Sequence, residues 1–137
     1  MDTVDAAPRL RWLRAFVAGF LAELVLLVIS AGVYMTTPDP MSILTLIIPP
    51  VTLPAFIAAG YWSAKPVPSA AVLQGALAGL IAVGIYAVLL IVEWLFVPNS
   101  DFSASLSTSY LIAHVLKIVG GAIGGWLLSR KAAQPAA

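Results

Sequence analysis

"IAHVLKIVGGAIGGWLLSRK", residues 112 to 131, decides how this chain is read: it is apolar enough to cross a bilayer, yet it contains His114 and Lys117 and closes on Arg130 and Lys131. A spanning helix needs about 20 mostly apolar residues at about 1.5 Å rise each, and this segment has that length. A lysine inside such a span is costly unless it faces protein or water. The residues elsewhere in the chain therefore have to account for it.

Segments of the same kind recur four times: roughly Trp12 to Tyr34, Ile43 to Trp62, Ala70 to Val97 and Thr108 to Leu128. The breaks between them, "TTPDPMS" at 36 to 42, "SAKPVPS" at 63 to 69 and "PNSDFSASLS" at 98 to 107, carry turn-forming Pro, Ser, Asp and Asn. The 137 residues are 61% hydrophobic and 9% charged, with a mean hydropathy of +1.02. A soluble domain carries about a quarter charged residues, so water is the wrong solvent for this surface. The sequence predicts an all-α polytopic membrane protein, a single domain of four transmembrane helices with short tails at 1–11 and 129–137. There is no cysteine, which excludes disulfide frameworks, thiolate metal sites and thiol nucleophiles. A net charge of +1 gives no reason to expect a nucleic-acid partner.

Basic residues set the expected orientation. Arg9, Arg11 and Arg14 precede the first span, Lys65 lies between the second and third, and Arg130 with Lys131 follows the fourth. The other two loops hold Asp39 and Asp101 but no Lys or Arg. The positive-inside rule then places both termini in the cytoplasm, in agreement with an even number of spans. "RLRWLR" followed by an apolar run has the outline of a secretory signal. The run exceeds the 7–15 residues usual for such a segment and contains Glu23, so an uncleaved first span is expected.

Four ionisable side chains fall inside the spans: Glu23, Glu93, His114 and Lys117. Glu23 lies nine residues beyond Arg14 on the first span, about 13 Å along the axis, and Lys117 lies nine beyond Thr108 on the fourth, again about 13 Å. Both fall near the midplane on helices running in opposite directions, so the two are expected to pair. Glu93 precedes Pro98 closely and is expected near the outer surface, within reach of a looser contact with His114, which lies one turn outward of Lys117 on the same face.

Small residues give the packing surfaces. Gly120 with Gly124 and Gly121 with Gly125 satisfy the small-xxx-small spacing by which helix backbones approach in lipid. Gly75, Gly79, Ala82, Tyr86 and Glu93 form one stripe on the third span. The glycines of "GGAIGG" follow no strand and precede no GK[ST], so no nucleotide loop is read from them. Pro49, Pro50 and Pro54 fall within the second span, where each removes a backbone donor, and a kink or break is expected between Ile48 and Pro54. Tyr34, Tyr61, Trp62, Trp94, Tyr110 and Trp126 lie near span ends, as interfacial aromatics do. The spans show no internal repeat.

At "GYWSAK" leading into "LQGALAGL", and again at "GGAIGGWLLSRK", the chain resembles small four-span bacterial membrane proteins of uncharacterised function. The resemblance covers about half the chain; it implies four spans and a bacterial inner membrane and transfers no active site. "LAELV" also resembles the membrane glutamate of small multidrug-resistance transporters, but the second and third spans characteristic of that family are absent.

The functional expectation is a non-enzymatic integral membrane subunit, without cofactor or metal, that assembles through its small-residue faces and its Glu23–Lys117 pair, either with itself or with a larger membrane complex. The alternative is a small homo-oligomeric transporter or proton-coupled channel that uses Glu23, His114 and Lys117. No HExxH, paired aspartates or Ser/His/Asp constellation supports an intramembrane enzyme.

Overall fold

A computed structural model describes residues 9–98 and 107–133. Most of the third connecting loop, with Asp101, and the outer parts of both tails lie outside the described residues. The described chain is all-α: α1 (Trp12–Thr36), α2 (Pro40–Ala64), a 3-10 turn over Pro68–Ala70, α3 (Ala71–Phe96) and α4 (Thr108–Ala132). Each long helix has at least 25 residues, or about 37 Å, enough to cross an apolar layer of about 30 Å with some tilt. Mean hydropathies of the best windows run from 1.7 to 2.6, and most of each window is not buried within the bundle. The outward surface is therefore apolar, and the protein is a four-span membrane bundle.

α1, α2 and α4 run beyond the expected spans, whereas α3 stops one residue short at each end; caps and prolines set several of these limits. Thr37 is extended (φ −129°, ψ 143°) ahead of Pro38, as a residue before proline must be, and it ends α1. Its backbone N–H and hydroxyl both donate to the Val33 carbonyl, and the Thr36 hydroxyl donates to that of Gly32. α2 starts within the expected turn, because Asp39 is an N-cap whose carboxylate accepts from the Ser42 N–H, and Pro40 stands in the first turn, where no donor is missed. α3 stops at Val97, held extended before Pro98. α4 continues through Arg130 and Lys131, basic residues placed where a helix C-terminus favours them.

α2 passes through Pro49, Pro50 and Pro54 as one continuous helix; the break allowed by the sequence does not occur. Between the prolines, the buried Thr52 hydroxyl donates 2.7 Å to the Ile48 carbonyl, so this polar group is satisfied inside its own helix.

α4 packs against α2 and α3, α1 packs against the same two, and α2 also touches α3. α1 and α4 thus stand at opposite corners of a rhombus whose short diagonal is α2–α3. The six glycines of the expected packing faces lie inside this arrangement. A methyl group built on Gly75 would overlap the Gly121 carbonyl, one on Gly79 the Lys117 carbonyl and one on Gly125 the Ala71 carbonyl, so these glycines set an antiparallel α3–α4 contact. Gly120 and Gly124 face Leu53, Phe56, Ile57 and Tyr61 in a parallel contact with α2. These faces are occupied by the chain's own helices, whose backbones approach closely across them. Gly60 of α2, which no spacing motif marks, lies against Gly121. On the other side, Ala15, Ala18 and Ala22 of α1 meet Ala78 and Ala82 of α3 and Phe56 of α2.

Candidate functional site: a paired charge and its polar pocket

Helix register carries Glu23 and Lys117 to the same level at the two far corners of the rhombus. The Lys117 ammonium reaches across to within 2.7 Å of Glu23 Oε2, and both side chains are almost sealed, at 3% and 4% exposure. That separation is a charge-assisted hydrogen-bonding distance between an ammonium and a carboxylate. The contact joins two helices whose backbones otherwise barely meet.

Tyr86 of α3 organises the outer side of the pair. The Lys117 ammonium stands 4.9 Å from the centre of the Tyr86 ring, a cation–π distance. The His114 ring packs on the same tyrosine at 4.6 Å, tilted by 54°, and Tyr110 stacks on it at 6.2 Å. Residues 110, 114 and 117 share one face of α4 through their spacing of four and three, which is why one tyrosine meets all three. Glu23, Ser30, Tyr86, Tyr110, His114 and Lys117 line a cavity with about 40 Å³ of water-accessible space. One water needs about 10–15 Å³ on that measure, so the cavity accommodates waters rather than an organic substrate. His114 Nδ1 is buried at its edge without a hydrogen-bond partner among the described residues.

Glu93 lies elsewhere. It is exposed on the last turns of α3, two turns past Tyr86. The looser contact with His114 is not formed, because the imidazole turns toward Tyr86 and Glu93 sits too far along the helix.

A second polar cluster was not apparent from the sequence. Gln74, fully buried in α3, accepts from the Arg11 N–H at 2.9 Å and donates to the Arg11 carbonyl at 3.0 Å and to the Ser63 hydroxyl at 3.1 Å. It ties the starts of α1 and α3 to the end of α2. Beside it, Arg14 donates through Nε and Nη2 to the Trp62 carbonyl at 3.1 and 2.9 Å, and its guanidinium lies 4.1 Å over the Trp62 ring. The signal was one glutamine in an apolar window, "AVLQGALAGL", overshadowed by the glycines that follow it.

Among the described residues, no three metal-ligating side chains converge. No family model matches the chain, and no curated protein or solved structure matches it either; what stands established is a multi-pass membrane bundle of four apolar helices.

Proposed function

We propose that the protein is a non-enzymatic integral membrane subunit of a bacterial inner membrane, with both termini cytoplasmic, that docks onto a larger membrane complex through the outer half of α3. The observation that carries this reading is the bareness of that half-helix. The buried residues of α3 end at Ala82, and from Ala87 to Phe96 every residue except Leu90 is exposed. Trp94 is 61% and Phe96 77% exposed, just beyond Glu93, which has no ion-pair partner among the described residues. An apolar span exposed on nearly every side meets lipid or a partner, and a carboxylate on its surface favours a partner with a donor or a cation. With the glycine faces occupied within the chain, this outer half, exposed on nearly every side and carrying a carboxylate, is the surface we assign to assembly.

The test is copurification from native membranes in mild detergent, with a photo-crosslinker in place of Val92. A stoichiometric larger partner crosslinked at that position, and weakened by Glu93→Gln or Trp94→Ala, is expected. A clean homo-oligomer without such a partner would sink the subunit reading.

A second reading is favoured by the pocket beside the ion pair. His114 Nδ1 lacks a partner among the described residues and borders water-sized space next to Glu23 and Lys117, the elements of a short proton path in a small homo-oligomeric transporter or channel. Proton flux in liposomes that disappears in Glu23→Gln while the assembly persists would support it. Flux indistinguishable from that of empty liposomes would dismiss it.

A further inference from the structure

The end of the bundle that carries the arginines has a feature that neither reading uses. Among the described residues, six of the seven Lys and Arg side chains lie at this end, whereas the acids, Glu23, Asp39 and Glu93, lie at the midplane or the far end. Arg11 stands out among the six. Its backbone N–H and carbonyl are both clamped by the buried Gln74 side chain, which fixes the residue in place. Its guanidinium has no ion-pair partner among the described residues, is exposed, and borders two adjoining cavities of about 500 and 530 Å³.

The first of these cavities continues along the membrane face. Trp62 lines it and also lines the next hollow, of about 420 Å³, which descends between α1 and α2. Alanines at 18, 22, 55, 58 and 59 make that hollow a trough, because two helices faced with methyl groups leave a furrow that larger side chains would fill. Arg14, stacked on Trp62, stands where the polar mouth meets the apolar trough. The geometry points to a bound anionic phospholipid: its phosphate lies at Arg11 and one acyl chain lies in the trough between α1 and α2. Basic pockets between transmembrane helices suit such headgroups, and an exposed guanidinium on a clamped backbone, without an ion-pair partner among the described residues, is well placed for a phosphate. The trough separates this occupant from a free anion, which would need the arginines but not the alanines.

Titration of the purified protein in detergent, followed by native mass spectrometry, tests the assignment with phosphatidylglycerol, phosphatidylcholine and inorganic phosphate as probes. The first phosphatidylglycerol is expected to bind more tightly than the first phosphatidylcholine. Arg11→Gln, which keeps both backbone bonds to Gln74, should weaken phosphatidylglycerol roughly fivefold, the usual contribution of one basic residue at an anionic surface. Ala58→Phe, an exposed position in the trough, should weaken both lipids, whereas Lys131→Gln on α4 should change neither. Equal affinity for the two lipids overturns the proposal, as does unchanged phosphatidylglycerol binding in Arg11→Gln or in Ala58→Phe. Displacement of the lipid by millimolar phosphate would make this a free-anion site and also overturns it.

Discussion

Glu23 and Lys117 are sealed against one another, so neither can lose its partner without leaving a bare charge in a low-dielectric interior. Removing one member of a buried pair typically costs about 3–5 kcal/mol, whereas replacing both with apolar or neutral groups of similar size is often neutral. Glu23→Gln and Lys117→Met alone should each destabilise the bundle by about that amount. The double variant should recover most of the loss, as measured by unfolding in mixed detergent micelles. This pair was legible in the sequence because depth is set by residue count: equal distances from opposite helix ends left few other arrangements. The aromatic surround was not legible, since the meeting of Tyr86 with residues 110, 114 and 117 depends on how α3 and α4 rotate about their axes. Asp39 makes a separate case at the far end. The Ser42 hydrogen bonds hold its carboxyl below the ordinary carboxylate range, so the charged cap contributes stability above the unfolded-state value and loses it as pH falls through the lowered folded value. Asp39→Ala should therefore lower thermal stability at pH 7 and have little effect near pH 2, as a thermal-shift series across pH would measure.

At the scale of the helices, the spans were readable because apolar length is close to a sufficient signal in lipid. Their ends were less so, because capping by Asp39 and the proline at position 40 draw the start of α2 into what looked like loop. The prolines at 49, 50 and 54 drew attention to a break that a continuous helix does not contain. Composition marks donors that are missing but not the packing that holds a helix together without them. The glycines offer a sharper comparison. Gly75→Ala and Gly121→Ala each place a methyl group on a facing carbonyl, and overpacking of this kind typically costs about 1–3 kcal/mol. Gly32 and Gly84 have open space where a methyl would go. Gly84→Ala should be neutral or stabilising by up to about 1 kcal/mol, because a helix interior favours alanine. Unfolding midpoints of the three variants, measured side by side, check both directions.

For the molecule as a whole, the proposed orientation predicts that a reporter fused after Ala137 is cytoplasmic, whereas one inserted after Pro38 is periplasmic. Paired alkaline phosphatase and fluorescent-protein fusions measure both, and a periplasmic C-terminus would reverse the assignment. The rhombic arrangement, with α1 and α4 at its far corners, also bears on how the protein is made. Glu23 enters the membrane with the first helix, and the lysine that neutralises it belongs to the last, 94 residues later by sequence (117 − 23). For most of synthesis the carboxyl therefore has no ammonium to meet. α4 brings both the lysine that joins this pair and the glycines that face α2 and α3. The final span thus completes the bundle, and a chain that ends before residue 108 carries an acid without its lysine and helix faces at Gly60, Gly75 and Gly79 without their α4 partner, features for a membrane quality-control system to recognise.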